Sequence, residues 1–108
     1  MATIIDGVAL TEALTSTAIT TNPDNLRIQT EIADAEVGEY VIQSYLVNDG
    51  VTDVPLLNSD NVSVRHKIAA NGKLSIYFTK INSASIKVKL TPGPNGHSGS
   101  ATVTTIES

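Results

Sequence analysis

An antiparallel β-sandwich is the fold that this 108-residue sequence predicts, and three observations predict it. Val, Ile and Thr supply 34 of the residues, and their branched Cβ atoms suit a pleated, half-buried surface better than a helix. From Leu26 onward, apolar and polar side chains alternate at period two in one run after another. Turn residues separate these runs: Asp34-Ala35-Glu36, Asn48-Asp49-Gly50, Asn58-Ser59-Asp60-Asn61, Asn71-Gly72 and Asn82-Ser83. The length fits one domain, able to bury roughly two-thirds of its unfolded surface without disulfide or metal staples. The expected architecture is a single sandwich of seven or eight strands, jelly-roll or immunoglobulin-like, over residues 23–108, preceded by an extended N-terminal arm over residues 1–22.

The arm is read from composition. Ser and Thr are dense in the first 22 residues, and with Ile4, Ile5 and Ile19 they suit extended segments, so an arm with one or two short strands is expected. Leu26, Ile28, Thr30 and Ile32 then alternate with Arg27, Gln29 and Glu31, which defines a half-exposed strand. Val37 to Val47 carries apolar residues on both parities, with Val41, Tyr45 and Val47 on one and Tyr40, Ile42 and Leu46 on the other. That pattern is expected of a strand covered on both faces.

Asp49-Gly50 tolerates the positive φ angles of a tight hairpin, with Val51 to Leu57 returning as an edge strand because Pro55 cannot donate to a ladder. Val62, Val64, His66 and Ile68 form the next inward face. Asn71-Gly72 predicts a type I′ turn that makes residues 62–81 a hairpin, whose second arm points Leu74, Ile76 and Phe78 inward and Ser75, Tyr77 and Thr79 outward. Ile86, Val88 and Leu90 face inward and Lys87 and Lys89 outward. Pro92 to Ser100 reads as a loop too rich in Gly and Pro to pack, and Ala101 to Ile106 as a closing strand.

Charge is sorted along the chain. Residues 1–64 carry a net −9 with Arg27 as their single basic residue, and residues 65–108 carry +5 with Glu107 as their single acid. The overall −4 argues against sequence-independent nucleic-acid binding, which depends on a surplus of Lys and Arg. No apolar run approaches the ~20 residues that span a bilayer, so no membrane partner is expected. Met1-Ala2-Thr3 followed by Asp6 has no basic-then-apolar leader, so no signal peptide is expected, and the absence of cysteine removes any redox inference.

Catalytic equipment is thin: two histidines, no cysteine, no Gly-x-Ser-x-Gly and no phosphate loop. His66 reads as a core or hairpin-edge residue, and His97 as a solvated loop residue. Asp49 with Asp53, and Asp60 between Asn58 and Asn61, lack the spaced carboxylates and closing Glu of a calcium loop, and turn chemistry explains them. No catalytic residue, cofactor or metal is expected, and the chain reads as a non-enzyme.

The concrete surface features are the basic half and the arm. If residues 62–68, 74–81 and 85–91 are adjacent strands, Arg65, Lys67, Lys87 and Lys89 flank Tyr77 on one outer face. Lysines there also serve solubility and block edge pairing; the functional reading is docking onto an acidic surface, such as Glu31, Asp34, Glu36, Glu39, Asp49 and Asp53 of another copy. Ile4, Ile5, Val8 and Leu10 of the arm are expected to pair with a neighbouring subunit or partner lattice.

In size, acidity, lack of cysteine, all-β pattern and leaderless start, the chain resembles the small capsid decoration (cement) and virion accessory proteins of tailed bacteriophages. The resemblance covers the whole chain as a class and rests on no motif. It implies a structural protein of the virion, a homo-oligomer, commonly a trimer, seated on the major capsid or another virion protein and performing no chemistry. A phage tail or baseplate component is an alternative within that class. A carbohydrate-binding or adhesin-like module is the alternative outside it, and Tyr77 is its discriminating residue, although the chain has no tryptophan and only three tyrosines and one phenylalanine.

Overall fold

The computed structural model describes residues 2–19, 25–48, 51–57, 60–69, 71–79, 85–94 and 96–107. The described residues are all-β, with nine strands among them in order: β1 (Ala2–Ala9), β2 (Leu14–Thr15), β3 (Asn25–Ala33), β4 (Tyr40–Asn48), β5 (Asp53–Pro55), β6 (Arg65–Ala69), β7 (Gly72–Thr79), β8 (Ser85–Pro92) and β9 (Ser100–Glu107). They form two antiparallel sheets. The first has the order β1-β9-β3-β7; in the second β4 is central, with β8 and then β2 on one side and β5 and β6 following each other along its other edge.

Period-two alternation places the core. Leu26, Ile28 and Ile32 of β3 and Ala101 and Val103 of β9 face Val41 and Tyr45 of β4 and Ile86, Val88 and Leu90 of β8, all buried between the sheets. The turn chemistry expected at Asp34 and in the Asn58–Asn61 cluster is visible in the backbone. Asp34 and Asn61 both hold positive φ, of 61° and 60°, which their short polar side chains tolerate. β4 pairs with β5 through Leu46↔Pro55, Val47↔Val54 and Asn48↔Asp53, so the hairpin expected around Asp49-Gly50 is present as a pairing, while those two turn residues lie outside the described residues.

The structure departs from expectation at three elements. Residues 2–19 are not a separate arm. β1 pairs with β9, β2 pairs with β8, and Ile19 exchanges backbone hydrogen bonds with Ile86 at 2.8 and 3.2 Å. Ile5, Leu10 and Ile19 fill the core, and burying each such side chain contributes about 1.5–3 kcal/mol, which ties the segment to its own domain.

The second departure is the 62–81 hairpin. β6 pairs with β4 and β7 pairs with β3, so the turn at Asn71 is a corner between sheets. Neither Asn71 nor Gly72 holds the positive φ of a type I′ turn; the Asn71 side chain instead accepts a hydrogen bond from the Ala35 N–H at 2.8 Å, tying the corner to the β3–β4 loop.

The third is the Gly/Pro-rich loop, which does pack. Gly99 lies so close to the Ala33 carbonyl that a Cβ there would sit 2.3 Å from it, and His97 is buried beneath the loop. Glycine is what allows that approach.

A polar bridge crosses the core. The Thr30 hydroxyl of the first sheet donates to Gln43 Oε1 of the second, and Gln43 Nε2 donates to the Tyr45 hydroxyl at 2.7 Å. All three residues are at most 1% exposed, so the bridge satisfies polar atoms that water does not reach and fixes the alignment of the sheets.

Candidate interaction surfaces

Register on β4 assembles the cationic face. Val41, Gln43 and Tyr45 point into the core, so Tyr40, Ile42, Ser44 and Leu46 point outward, and residues directly opposite them share that outer face. Ser44 lies between Arg65 and Lys89, Ile42 between Lys67 and Thr91, and Leu46 between Pro55 and Lys87. Arg65, Lys67, Lys87 and Lys89 therefore share one surface, as the alternation predicts, though the strand between them is β4 and not β7. Arg65 and Lys89 stand two strand spacings apart, about 10 Å at the backbone.

The cations differ in their partners. Lys87 is bound by Asp53, Nζ to Oδ2 2.7 Å, and Asp53 also accepts from Asn48 at 3.1 Å. The Lys87 hydrogen bond, then that of Asn48, holds the Asp53 carboxyl below its usual range. Lys67 places its ammonium 4.5 Å from the centre of the Tyr40 ring, a cation–π contact, and the ring lies against Gly93, where a Cβ would meet it at 2.8 Å. Arg65 and Lys89 have no acidic partner among the described residues. The face is thus cationic at its two flanks and apolar along Tyr40, Ile42 and Leu46.

Tyr77 is not on this face. It belongs to the outer surface of the other sheet, directly opposite Arg27, whose guanidinium lies 5.5 Å from the ring centre. At 67% exposure it is the outward-facing aromatic residue expected from the sequence, in different company. Beside it a trough of about 230 Å³ runs over Gln29, Glu31, Lys73, Leu74, Ser75, Thr102 and Thr104. The trough exists because the row Thr104–Gln29–Ser75 carries short hydroxyl side chains on both flanks, between the longer Arg27–Tyr77 pair and the Glu31–Lys73 pair. Outward parity at Gln29 and Ser75 was readable in the sequence; that Thr102 and Thr104 join them follows only from the β3–β9 register.

The acidic residues named from the sequence are engaged in different ways. Asp53 is spent on Lys87, Glu31 lies on the trough, and Asp49 is outside the described residues. Glu39 ties the β3–β4 loop to the β8–β9 loop: it accepts from the Glu36 N–H at 2.7 Å, the Ser98 hydroxyl at 2.7 Å and the Ser98 N–H at 2.9 Å. The backbone bond from Glu36, then that of the Ser98 hydroxyl, keeps its carboxyl below the usual range. Of the arm residues, Ile5 and Leu10 are buried in their own core and unavailable to a partner, Ile4 is half-buried, and Val8 is 42% exposed.

The histidines sit apart in role. His66 meets the Tyr45 ring edge-on at 5.9 Å, and burial pushes its pKa down. His97 Nδ1 accepts from the Gly99 N–H at 3.0 Å, which commits that nitrogen to the backbone. Neither Nε2 has a hydrogen-bond partner among the described residues, and no group of three His, Asp or Glu side chains among them is placed to hold a metal ion. Compared with known proteins, the chain matches no family model and no curated sequence.

Proposed function

We propose that the chain is a non-enzymatic structural protein that docks the outer face of its five-stranded sheet onto an acidic protein surface, as a capsid decoration or other virion accessory protein does on its shell. The observation that carries this reading is the gathering of Arg65, Lys67, Lys87 and Lys89 around the apolar line of Tyr40, Ile42 and Leu46. Apolar area with a charged rim is the anatomy of a protein interface, and the uncompensated Arg65 and Lys89 supply the preference for an acidic partner. Retention on a polyglutamate-coated sensor tests the chemistry. Binding at 50 mM NaCl should vanish at 500 mM and in the double variant Arg65→Glu, Lys89→Glu, whose circular dichroism should match the parent. Equal retention of the double variant would sink the reading.

The trough beside Tyr77 favours a second reading, a saccharide-binding module. Its hydroxyl and amide lining pairs donors with acceptors as sugar hydroxyls require, with an aromatic ring alongside, and 230 Å³ is below the roughly 300–1,000 Å³ of drug-sized sites, which suits a single ring. Glycan-array signal that disappears on Tyr77→Ala, with polyglutamate retention unchanged, would move this reading ahead of the first.

A further inference from the structure

The sheet edges are unequal. β1 is blunted by two register shifts, between Thr3 and Ile5 and between Ile5 and Val8, and by Gly7 at φ 60°. β2 has two residues, β5 has three and ends on Pro55, and β6 has five. β7 has eight residues, no proline and eight consecutive pairs with β3 from Asn25↔Thr79 to Ile32↔Gly72 without a shift. Among the described residues no strand pairs with its other edge. A long, regular edge that carries a single lysine, Lys73, is what folded proteins ordinarily avoid leaving open.

The side chains say what fits there. Leu74 and Ile76 face inward yet are only half-buried, so the core is incompletely covered at this edge. A second copy of the chain completes it. When β7 pairs antiparallel with itself about Ser75, side-chain parity is preserved: Leu74 lies opposite the partner's Ile76, and Lys73 opposite the partner's Tyr77, ammonium against aromatic ring. No like charges oppose each other in that register.

We propose that the protein is a twofold dimer joined through β7, its two four-stranded sheets running on as one eight-stranded sheet. The interface shares Lys73 and Ser75 with the trough but no residue with the cationic face, so its failure leaves the proposed docking function standing.

The chain has no cysteine, which makes a single-cysteine test clean. Ser75→Cys places the two thiols opposite each other across the twofold axis, and mild oxidation should give a covalent dimer in high yield; Thr3→Cys, on the blunted β1 edge, should not. In the unmodified protein, sedimentation equilibrium should show twice the 11.3 kDa chain mass. Ser75→Glu should weaken association at least tenfold, because the carboxylates oppose each other in the dimer. Within one protomer the same carboxylate sits beside Arg27 and Lys73, so thermal unfolding of the variant should stay close to the parent's. A monomer at several hundred micromolar, or an oligomer that Ser75→Cys does not cross-link, would overturn the proposal.

Discussion

Replacing Tyr45 by Phe tests the core bridge at one atom. The ring is conserved and 1% exposed, so little packing changes, but Gln43 Nε2 loses its acceptor inside the sandwich. Leaving such a buried donor unpaired costs about 1–3 kcal/mol, which at roughly 4–8 °C per kcal/mol for a domain of this size lowers Tm by about 5–20 °C at pH 8. The same hydroxyl makes a second, independent prediction. Burial pushes the Tyr45 pKa from 10.0 up to about 12. Below pH 10 the phenol is neutral in both states and its contribution is complete. Between pH 10 and 12 the unfolded chain ionises while the folded one resists, so the unfolded state releases protons first and stability falls, by about 3 kcal/mol in total.

The Phe variant lacks this loss. Urea unfolding of both proteins from pH 8 to 12 should therefore show a stability gap that is largest at pH 8 and closes or reverses by pH 12. Lysine titration in the same range affects both proteins alike and cancels in the difference. A Phe variant as stable as the parent at pH 8, with the same alkaline slope, would refute the bridge.

The other expectations are smaller experiments. Gly99→Ala forces a Cβ to 2.3 Å from the Ala33 carbonyl and 2.9 Å from His97 Cε1; backbone yields poorly, so a loss of about 1–3 kcal/mol or more should appear as a Tm drop in calorimetry. His66 has its pKa lowered by burial, so the unfolded chain takes up a proton first as pH falls below 6.5, and stability should decline from pH 7 to 5; in His66→Gln that part of the slope should be gone from Tm-versus-pH curves. Lys87→Met should leave urea unfolding close to the parent's, because both partners of the ion pair are about a third exposed and solvent screens them, and the pair's small contribution should fade as pH drops through the lowered Asp53 pKa.

Alternation fixed the faces of this protein more reliably than its neighbours. Lys87 and Lys89 point outward and Ile86, Val88 and Leu90 inward because a strand allows only two sides and burial chooses between them. The same pattern is silent on which sheet a strand joins. β6 and β7 alternate as a hairpin would and are linked by Asn-Gly, yet their partners are β4 and β3, since a sandwich corner and a hairpin need the same local residues. The cationic face survived that error because β4 lies between the right strands, whereas Tyr77 followed β7 to the opposite side. His97 and Gly99 are not legible in the sequence for another reason: the loop is held down by a close backbone approach, and several glycines in the same stretch could equally make it.

The two proposals meet in one geometric consequence. An antiparallel pairing that keeps the inner residues of both copies on one side requires a twofold axis perpendicular to the sheet. The second sheets of the two protomers then lie on the same side of the joined sheet, and both cationic faces point in one direction, rotated slightly by strand twist. A dimer so built meets an acidic surface at two places at once, and the second contact is made at the high effective concentration of a tethered site, worth about 10²–10⁴ in avidity where the spacing permits. Ser75→Glu should therefore weaken retention on polyglutamate by at least tenfold, although it removes no cation and lies on the opposite sheet. The sensor must be read at low and at high ligand density. Loss confined to high density marks bivalency; equal loss at both would mean that the new carboxylate acts through charge alone, and no loss would mean that the two faces never engage together.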